Sequence, residues 1–361
     1  MIPLLKTSLP PTSNLTKIIT EVVKTGIIAE GKYVYDFEKK FLHKFGFKYG
    51  LAVSSGTAAL HASLAALGIG RGDEVITTPM TAEPTNLSIL HAGAVPVFAD
   101  INIDDGNICP ISIKKSITKK TKAILVVHYG GYPAKMKEIC KIAKENGLKV
   151  IEDCAHALGA SLDSNNVGSY GDFAIFSFQA IKQISTIDGG FIVFKNKKYL
   201  DFIKRFRWFG LTKGADRTKP SITHVGYKYN MNNISAAIGI EQLDRFDKIL
   251  ADTQKIGKIY NKELSNTKNI HLCNFSGTPS YWLYSIFSSK SEKIINHLVK
   301  KRIASSKVHI PNNYHPLFRN NQLPNTKKFY EHLIHIPCGF WVKQADAQKI
   351  SEVIRSYDKT L

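Results

Sequence analysis

The sequence predicts a doubly wound α/β sheet followed by a smaller α/β domain. Between residues 50 and 195, short apolar runs alternate with stretches that have the apolar spacing of helices. The runs are almost continuously apolar, which is typical of strands buried on both faces of a largely parallel sheet. A helical stretch at 233–264 follows, and it would span about 48 Å at about 1.5 Å per residue. Because so long a helix usually joins two bodies, we expect a large domain at 12–250 and a small one at 251–361, with residues 1–11 packing on the latter.

Seven apolar runs predict the strands of the large sheet. In chain order they are 50–54, 74–79, 95–101, 123–129, 148–154, 172–178 and 190–194. Helices are predicted between several of them, at 57–68 and at 134–147, and Gly147 is typical of a helix end. The small domain is predicted to hold a strand and two helices, at 281–288, 292–302 and 345–357.

Composition narrows the class of protein. The chain has 361 residues, enough for a sizeable core, and no apolar run long enough for a transmembrane helix. The N-terminal apolar stretch is too short for a signal peptide, so we expect a cytoplasmic protein without a membrane partner. The cysteines form no CxxC pair, which argues against a disulfide framework or a zinc site. We therefore expect no metal.

A net charge of +20 calls for an anionic partner. Most lysines are mixed with glutamates on helices, as on a solvated face, and the basic residues do not gather on one recognition helix, so we expect no nucleic acid. One stretch, 195–219, holds nine basic residues against two acidic ones. It could face a phosphorylated ligand or simply form a solvated surface.

Three features follow predicted strands and should meet at the carboxyl edge of the sheet, where open α/β sheets bind ligands. The stretch SSGTAAL (54–60) could cradle a phosphate on the N–H groups of a helix start, or supply only a helix cap. Asp153 ends a strand and needs a cationic partner, unless it caps a following helix. Lys182 is a reactive amine if buried, and otherwise an ordinary salt-bridged or snorkelling lysine.

The three features together are more informative than any one of them. A lysine that forms a Schiff base, an acid that keeps a pyridine nitrogen protonated and a phosphate cradle are the parts that a pyridoxal 5′-phosphate (PLP) enzyme needs. The sequence therefore favours PLP as the cofactor.

Longer stretches carry a family resemblance. In order they are GLAVSSGTAALHASLAALGIGRGDEVITTP, AGAVPVFADI, VVHYGGYPAKM, VIEDCAHALGA, GSYGDFAIFSFQAIK and GYKYNMNNISAAIGIEQL. This order resembles the DegT/DnrJ/EryC1/StrS sugar aminotransferases over nearly the whole chain. The resemblance implies a PLP enzyme of fold type I, like aspartate aminotransferase, with a large mixed sheet and a small C-terminal domain. It also implies a homodimer with its active site at the subunit interface.

The resemblance also implies roles for individual residues. Lys182 matches the Schiff-base lysine, and Asp153 matches the acid that faces the pyridine nitrogen. The other positions that match cofactor contacts are Gly56, Thr57, His156, Ser177, Gln179 and Lys228. Lys228 stands where many members have an asparagine that reaches the partner's phosphate.

Two positions depart from the family pattern. Gln179 replaces a histidine beside the cofactor, and Ala82 stands where many members stack an aromatic residue on the pyridine ring. Substrate groups are expected from the loop at 308–318, with His309 and Tyr314 as candidates.

The implied reaction moves an amino group from L-glutamate to a keto group of a nucleotide-linked sugar. The resemblance favours a 4-keto-6-deoxy sugar, used for cell-surface polysaccharide or glycoconjugate synthesis. A 3-keto or terminal-aldehyde sugar remains an alternative within the family, and a non-catalytic PLP-binding regulator remains one outside it. Lys182 argues against the related sugar dehydratases, which have histidine at that position.

Overall fold

The protein is described by a computed structural model that covers residues 1–318 and 322–361. The strands are β1 (Gly50–Val53), β2 (Glu74–Thr77), β3 (Val95–Phe98), β4 (Thr121–Val127), β5 (Lys149–Asp153), β6 (Ser161–Leu162), β7 (Asn165–Asn166), β8 (Phe173–Ser177), β9 (Gly190–Phe194), β10 (His271–Leu272), β11 (Tyr284–Phe287) and β12 (Leu333–Ile336). The α-helices are α1 (Thr12–Lys24), α2 (Lys32–Phe45), α3 (Gly56–Ala66), α4 (Glu83–His91), α5 (Pro110–Ser116), α6 (Met136–Glu145), α7 (Tyr199–Phe206), α8 (Asn233–Glu263), α9 (Ser291–Lys300), α10 (Pro324–His332) and α11 (Gln344–Asp358). All seven predicted strands of the large sheet are present, most of them shorter than the apolar runs.

The large sheet is mixed, and its strand order is β1-β9-β8-β5-β4-β2-β3. Neighbours run parallel from β8 to β3, whereas β9 is antiparallel to both β1 and β8. The carboxyl ends of β1, β5 and β8 therefore meet the amino end of β9 at one edge. This edge brings the segments that follow Val53, Asp153 and Ser177 together.

Side chains alternate between the two faces of this sheet, as the strand period of two requires. On β9, Phe191 and Val193 pack under α2 and α8, whereas Ile192 and Phe194 pack under α3 and α7. Both faces are covered by helices, which explains why the strands read as continuous apolar runs.

A second, antiparallel sheet of order β10-β11-β12 packs with α9 and α11 around its own apolar core. The α8 helix belongs to both parts: Leu243 and Phe246 lie in a core of the large sheet, and Ile256 and Tyr260 lie in the core of the small one. The expected domain boundary at residue 250 falls inside this helix and stays a prediction.

The N-terminal segment crosses from one part to the other. Ile2 forms a parallel bridge with Ile303, and the Trp341 indole N–H donates to the Pro3 carbonyl oxygen, 3.0 Å away. Further along, the Gln242 side chain donates to the Ser8 carbonyl oxygen on the large-sheet side. Among the residues that the structure describes, no helix combines the length and the apolarity that a bilayer crossing requires.

A buried ion cluster ties the segment before α2 to the large sheet. The Arg207 guanidinium donates to Glu30 at 3.0 Å and to Glu38 at 2.7 Å, and it also donates to the Ala52 carbonyl oxygen. All three charged side chains are at least 88% buried. Removing one charge of such a cluster leaves its partners uncompensated.

We expect Arg207→Leu to lower the free energy of unfolding by about 3–5 kcal/mol, because Glu38 loses its counter-charge and Glu30 keeps only the Lys213 amine, 3.8 Å away. Urea unfolding followed by circular dichroism measures this loss. Arg217→Leu, on an exposed loop, is the matched control and should change little. Equal stability of the two variants would contradict the assigned role of the cluster.

Candidate active site

A cavity of about 400 Å³ lies at the carboxyl edge of the large sheet, where the second part of the chain closes it. Most of the predicted site residues line it. They are Gly56, Thr57, Asp153, His156, Ser177, Gln179, Lys182 and His309. The edge of the sheet therefore brings together side chains that are up to about 250 positions apart in the sequence.

The Lys182 amine points into this cavity from a tight turn after β8. The Gln179 carbonyl oxygen accepts the Lys182 backbone N–H at 2.9 Å, and the Gln179 side chain accepts the Ile181 N–H at 3.1 Å. Burial lowers the pKa of Lys182 to about 8, although the nearby Asp153 charge opposes that shift. Roughly a fifth of this amine is therefore uncharged near pH 7.4, a far larger share than for an ordinary lysine, and the uncharged form is the one that acts as a nucleophile or base.

The Asp153 carboxylate is buried at the end of β5. One oxygen accepts the Thr85 hydroxyl at 2.8 Å, and the other accepts the Ala155 N–H at 3.0 Å. Burial raises the pKa of Asp153. These hydrogen bonds and the nearby Lys182 charge offset only part of that rise. No α-helix follows Asp153 before β6, so the alternative of a helix cap is wrong.

The cradle begins with α3, whose first residue is Gly56. The Ser55 hydroxyl accepts the Ala58 N–H at 3.0 Å, and the Gly56 and Thr57 N–H groups have no acceptor among the described residues, so these two are open to a ligand. The cradle requires glycine at position 190: a Cβ there would lie 2.4 Å from the Ser55 carbonyl atoms and 2.6 Å from the Gly56 nitrogen.

Three aromatic rings form the wall near Lys182. The His156 and Trp282 rings are nearly parallel, with centroids 3.8 Å apart, and the His309 ring lies parallel to His156 at 5.9 Å. His156 Nδ1 and His309 Nε2 are buried without a hydrogen-bond partner among the described residues. Burial lowers the pKa of both, that of His309 to about 4, so both imidazoles are neutral and free to bind a ligand.

Two predicted residues lie outside the cavity lining of this chain. Lys228 Nζ donates to the Asn230 side chain at 2.6 Å and lies 4.1 Å from the ring centroid of Trp208. Tyr314 is 42% exposed and packs its ring edge against Tyr330. Their expected roles with a partner's phosphate and with substrate stay predictions.

Sequence reasoning missed Thr85 and Trp282. Thr85 is the partner of Asp153, and its only signal was a hydroxyl on the first turn of a helix that starts beside the cavity. Trp282 comes from the second part of the chain, just before β11, and no local pattern connects it with Lys182. Ala82, which stands where many family members have the ring-stacking aromatic residue, lines the cavity and directly precedes α4.

His128, Glu152 and Cys154 form a buried cluster with the composition of a metal site. Their hydrogen bonds give another explanation. Glu152 accepts three backbone N–H groups from 168–171 and faces His128 Nε2 at 3.1 Å, while His128 Nδ1 accepts the Ala134 N–H. Because both ring nitrogens and both carboxylate oxygens are already engaged, this cluster holds the loop between β7 and β8 in place.

Comparison with known proteins identifies the family. The model of the DegT/DnrJ/EryC1/StrS aminotransferase family matches residues 12–355. The chain belongs to this family. The GDP-perosamine synthase of Escherichia coli O157:H7 is 35% identical to this chain. The match covers 88% of this chain and 85% of the synthase.

Solved structures support the same assignment. A sugar aminotransferase from Micromonospora echinospora superposes with a TM-score of 0.94 at 28% identity, over 99% of this chain and 100% of its own. PseC of Helicobacter pylori, an aminotransferase of pseudoaminic acid biosynthesis, has a TM-score of 0.92 at 26% identity, with both chains fully covered. The predicted fold type I is therefore confirmed, and the chain is a PLP-dependent sugar aminotransferase.

The residues present fit PLP. The open helix start at Gly56 suits a phosphate, and the buried Asp153 suits a protonated pyridine nitrogen. His156 Nδ1, buried and unpartnered among the described residues, offers a hydrogen bond to a polar group on the cofactor ring. The Lys182 amine lines the same cavity, and its lowered pKa suits it to bond with an aldehyde such as that of PLP.

We expect Gly190→Ala to weaken PLP binding by about tenfold or more, because the new Cβ displaces the Ser55–Gly56 backbone of the cradle. Absorbance titration of the apoenzyme with PLP measures the change. Gly70→Ala is the matched control, since its Cβ would meet its nearest neighbour at an ordinary 3.6 Å. If both variants bind PLP equally well, the close packing at Gly190 does not shape the cradle.

Proposed function

We propose that this enzyme transfers the amino group of L-glutamate to the keto group of a nucleotide-linked 4-keto-6-deoxy sugar, for cell-surface polysaccharide or glycoconjugate synthesis. The observation that carries the chemistry is that Lys182 and the buried Asp153 line one cavity, with the pKa of Lys182 lowered to about 8 and that of Asp153 raised. The relative named GDP-perosamine synthase supports a nucleotide-linked sugar as the acceptor.

Bound PLP supplies an electron-withdrawing ring that stabilises the negative charge left when a proton leaves the carbon beside the substrate nitrogen. The residues of this chain do the rest. Asp153 holds the proton on the pyridine nitrogen through a charged hydrogen bond, and Thr85 fixes the orientation of that carboxylate. Lys182 Nζ takes the proton from the α-carbon of glutamate and later returns a proton to the sugar carbon that receives nitrogen.

The acceptor site is proposed at the outer part of the cavity. His309 Nε2 is buried, unpartnered within the described chain and on the cavity wall, so it is available to a sugar hydroxyl or carbonyl. Asn312 holds its loop in place, since its side chain donates to the Thr81 carbonyl oxygen at 2.9 Å and accepts from Asn86 at 2.8 Å. Tyr314 follows on the same loop and is proposed to contact the sugar nucleotide farther out.

We also propose a homodimer with the active site at its interface. Several large apolar side chains are exposed on neighbouring segments. They are Ile27, Ile28, Tyr35, Phe209, Ile222 and Val225. These segments are connected to the cradle, because the Phe209 N–H donates to the Tyr227 carbonyl oxygen and the Ser54 N–H donates to that of Tyr229. We propose that a second copy covers this surface, which agrees with the proposed contact between Lys228 and a partner's phosphate.

The reaction is tested in two half-reactions. With L-glutamate alone, the PLP-loaded enzyme should convert to its pyridoxamine form and release 2-oxoglutarate, and a 4-keto-6-deoxy sugar nucleotide should restore the original absorbance. Lys182→Ala should lose at least about 10³-fold in rate, because the proton-transferring amine is gone. Lys195→Ala, an exposed lysine on the large domain, is the control.

The acceptor panel should include 3-keto and terminal-aldehyde sugar nucleotides. Recovery of absorbance with one of these, and not with the 4-keto sugar, would reject the proposed acceptor. Full turnover by Lys182→Ala would reject the proposed role of the lysine.

We expect Val225→Glu to shift the protein from dimer toward monomer, because the charge would be buried in the interface. Analytical ultracentrifugation at several concentrations measures the shift. Ile111→Glu places the same charge on another exposed apolar residue outside this surface and should leave the association unchanged. A monomeric wild-type enzyme, or equal dissociation of both variants, would count against the proposed interface.

A further inference from the structure

The segment Ser280–Trp282 is hydrogen-bonded to the turn that carries Lys182, on both sides of that lysine. The Trp282 indole N–H donates to the Ile181 carbonyl oxygen at 2.9 Å. On the other side, the Gln183 amide donates to the Ser280 hydroxyl oxygen at 3.0 Å. The residues immediately before and after Lys182 are therefore both hydrogen-bonded to this one segment of the second part of the chain.

The same segment places an aromatic face beneath the amine. Lys182 Nζ lies 4.1 Å from the centroid of the Trp282 ring, which is well within cation–π range. Trp282 is only 4% exposed, and attraction between a cation and a ring is strongest where water is excluded. Tryptophan is also the aromatic residue that attracts a cation best.

Trp282 is held firmly in this position. The Ser280 and Leu283 N–H groups donate to the carbonyl oxygens of Gly131 and Gly130, at 3.1 and 3.0 Å. Gly131 is required for this approach, because it has φ +93° and a Cβ would lie 2.4 Å from the Ser280 hydroxyl oxygen. Tyr281 adopts the left-handed conformation, with φ +50°, although it is not glycine. A backbone of this kind is costly, and here it directs the Trp282 ring toward Lys182.

We propose that Trp282 is a positioning residue that holds the Lys182 amine over its ring whenever that amine is not bonded to the cofactor. This inference rests on the proposed transamination, in which Lys182 is released when glutamate binds to PLP. The free amine takes the proton from the glutamate α-carbon and becomes an ammonium ion. The Trp282 face stabilises this ammonium beside the reacting carbons until it gives its proton up.

Other charged or titratable groups also surround this amine. The main cavity is lined by Asp153, His156, Asp188 and His309, with Glu83 at its outer wall. A second cavity beside the amine is lined by Lys6. Burial lowers the pKa of Lys182 and Asp153 raises it. The ring favours the charged form, so removing it while keeping water out should lower the pKa of Lys182 further.

The test compares Trp282→Leu and Trp282→Phe with wild type in enzyme loaded with pyridoxamine 5′-phosphate. That cofactor form has no aldehyde, so Lys182 stays free. Competitive acetylation with acetic anhydride across a range of pH, read by mass spectrometry of the Lys182 peptide, reports the pKa of the amine. Trp341→Leu, which removes another tryptophan of the small domain, is the control.

We expect the labelling midpoint to fall by about half a pH unit or more in Trp282→Leu, and by less in Trp282→Phe, which keeps a weaker aromatic face. Trp341→Leu should match wild type. An unchanged or raised midpoint in Trp282→Leu overturns the proposal. If that variant does not fold, a raised midpoint in Trp282→Phe overturns it equally.

Rates with glutamate separate this inference from the proposed function. The Leu variant should convert to the pyridoxamine form more slowly than wild type, and the Phe variant should recover much of the rate. A lowered midpoint in an enzyme that glutamate never converts would leave the Trp282 contact standing and reject the proposed donor. Normal conversion by glutamate with an unchanged labelling midpoint would support the proposed donor and reject the role of the Trp282 contact.

Discussion

The burial of an amine and a carboxylate at one edge of the sheet is the constraint on which the site depends. Burial disfavours both charges, so it lowers the pKa of Lys182 and raises that of Asp153. Two backbone or hydroxyl donors keep Asp153 in place, but they do not remove the cost of its charge. A ring that carries a proton on its nitrogen and an electrophilic carbon satisfies both groups at once. The cavity is thus matched to the cofactor in charge as well as in shape.

The second constraint is that two separately packed cores build one cavity. The large sheet contributes the lysine, the acid and the cradle, whereas the other part contributes Trp282 and His309. Direct hydrogen bonds join the two sides: Trp282 to Ile181, and Asn312 to Thr81 and Asn86. Small changes in how the two parts pack would therefore change the chemistry of Lys182 before they changed the fold.

The sequence predicted the large sheet, and it predicted that most of the candidate site residues would lie at one edge, because both depend on local patterns. Apolar runs predict strands, and the carboxyl ends of parallel strands lie at one edge of the sheet. Asp153 and Lys182 were therefore expected to lie near each other. The antiparallel course of β9 follows from the pairing of whole strands, and the runs alone do not specify it. Trp282 was missed for a similar reason, since its neighbour in space is about 100 residues away. Lys228 matched a family position, yet it lies outside the cavity lining of its own chain, so its contact with a partner's phosphate stays a proposal.

The long helix α8 has a consequence for how substrates reach the site. Its 31 residues run without interruption from the core of the large sheet into that of the small one. A movement that separated the two parts would bend α8 and break some of its main-chain hydrogen bonds. The N-terminal segment, which is bound at Ile2 and again at Ser8, restrains the same movement. We therefore expect the body of the chain to behave as a rigid frame. A substrate would then have to enter by movements of surface loops at the cavity mouth rather than by separation of the two parts.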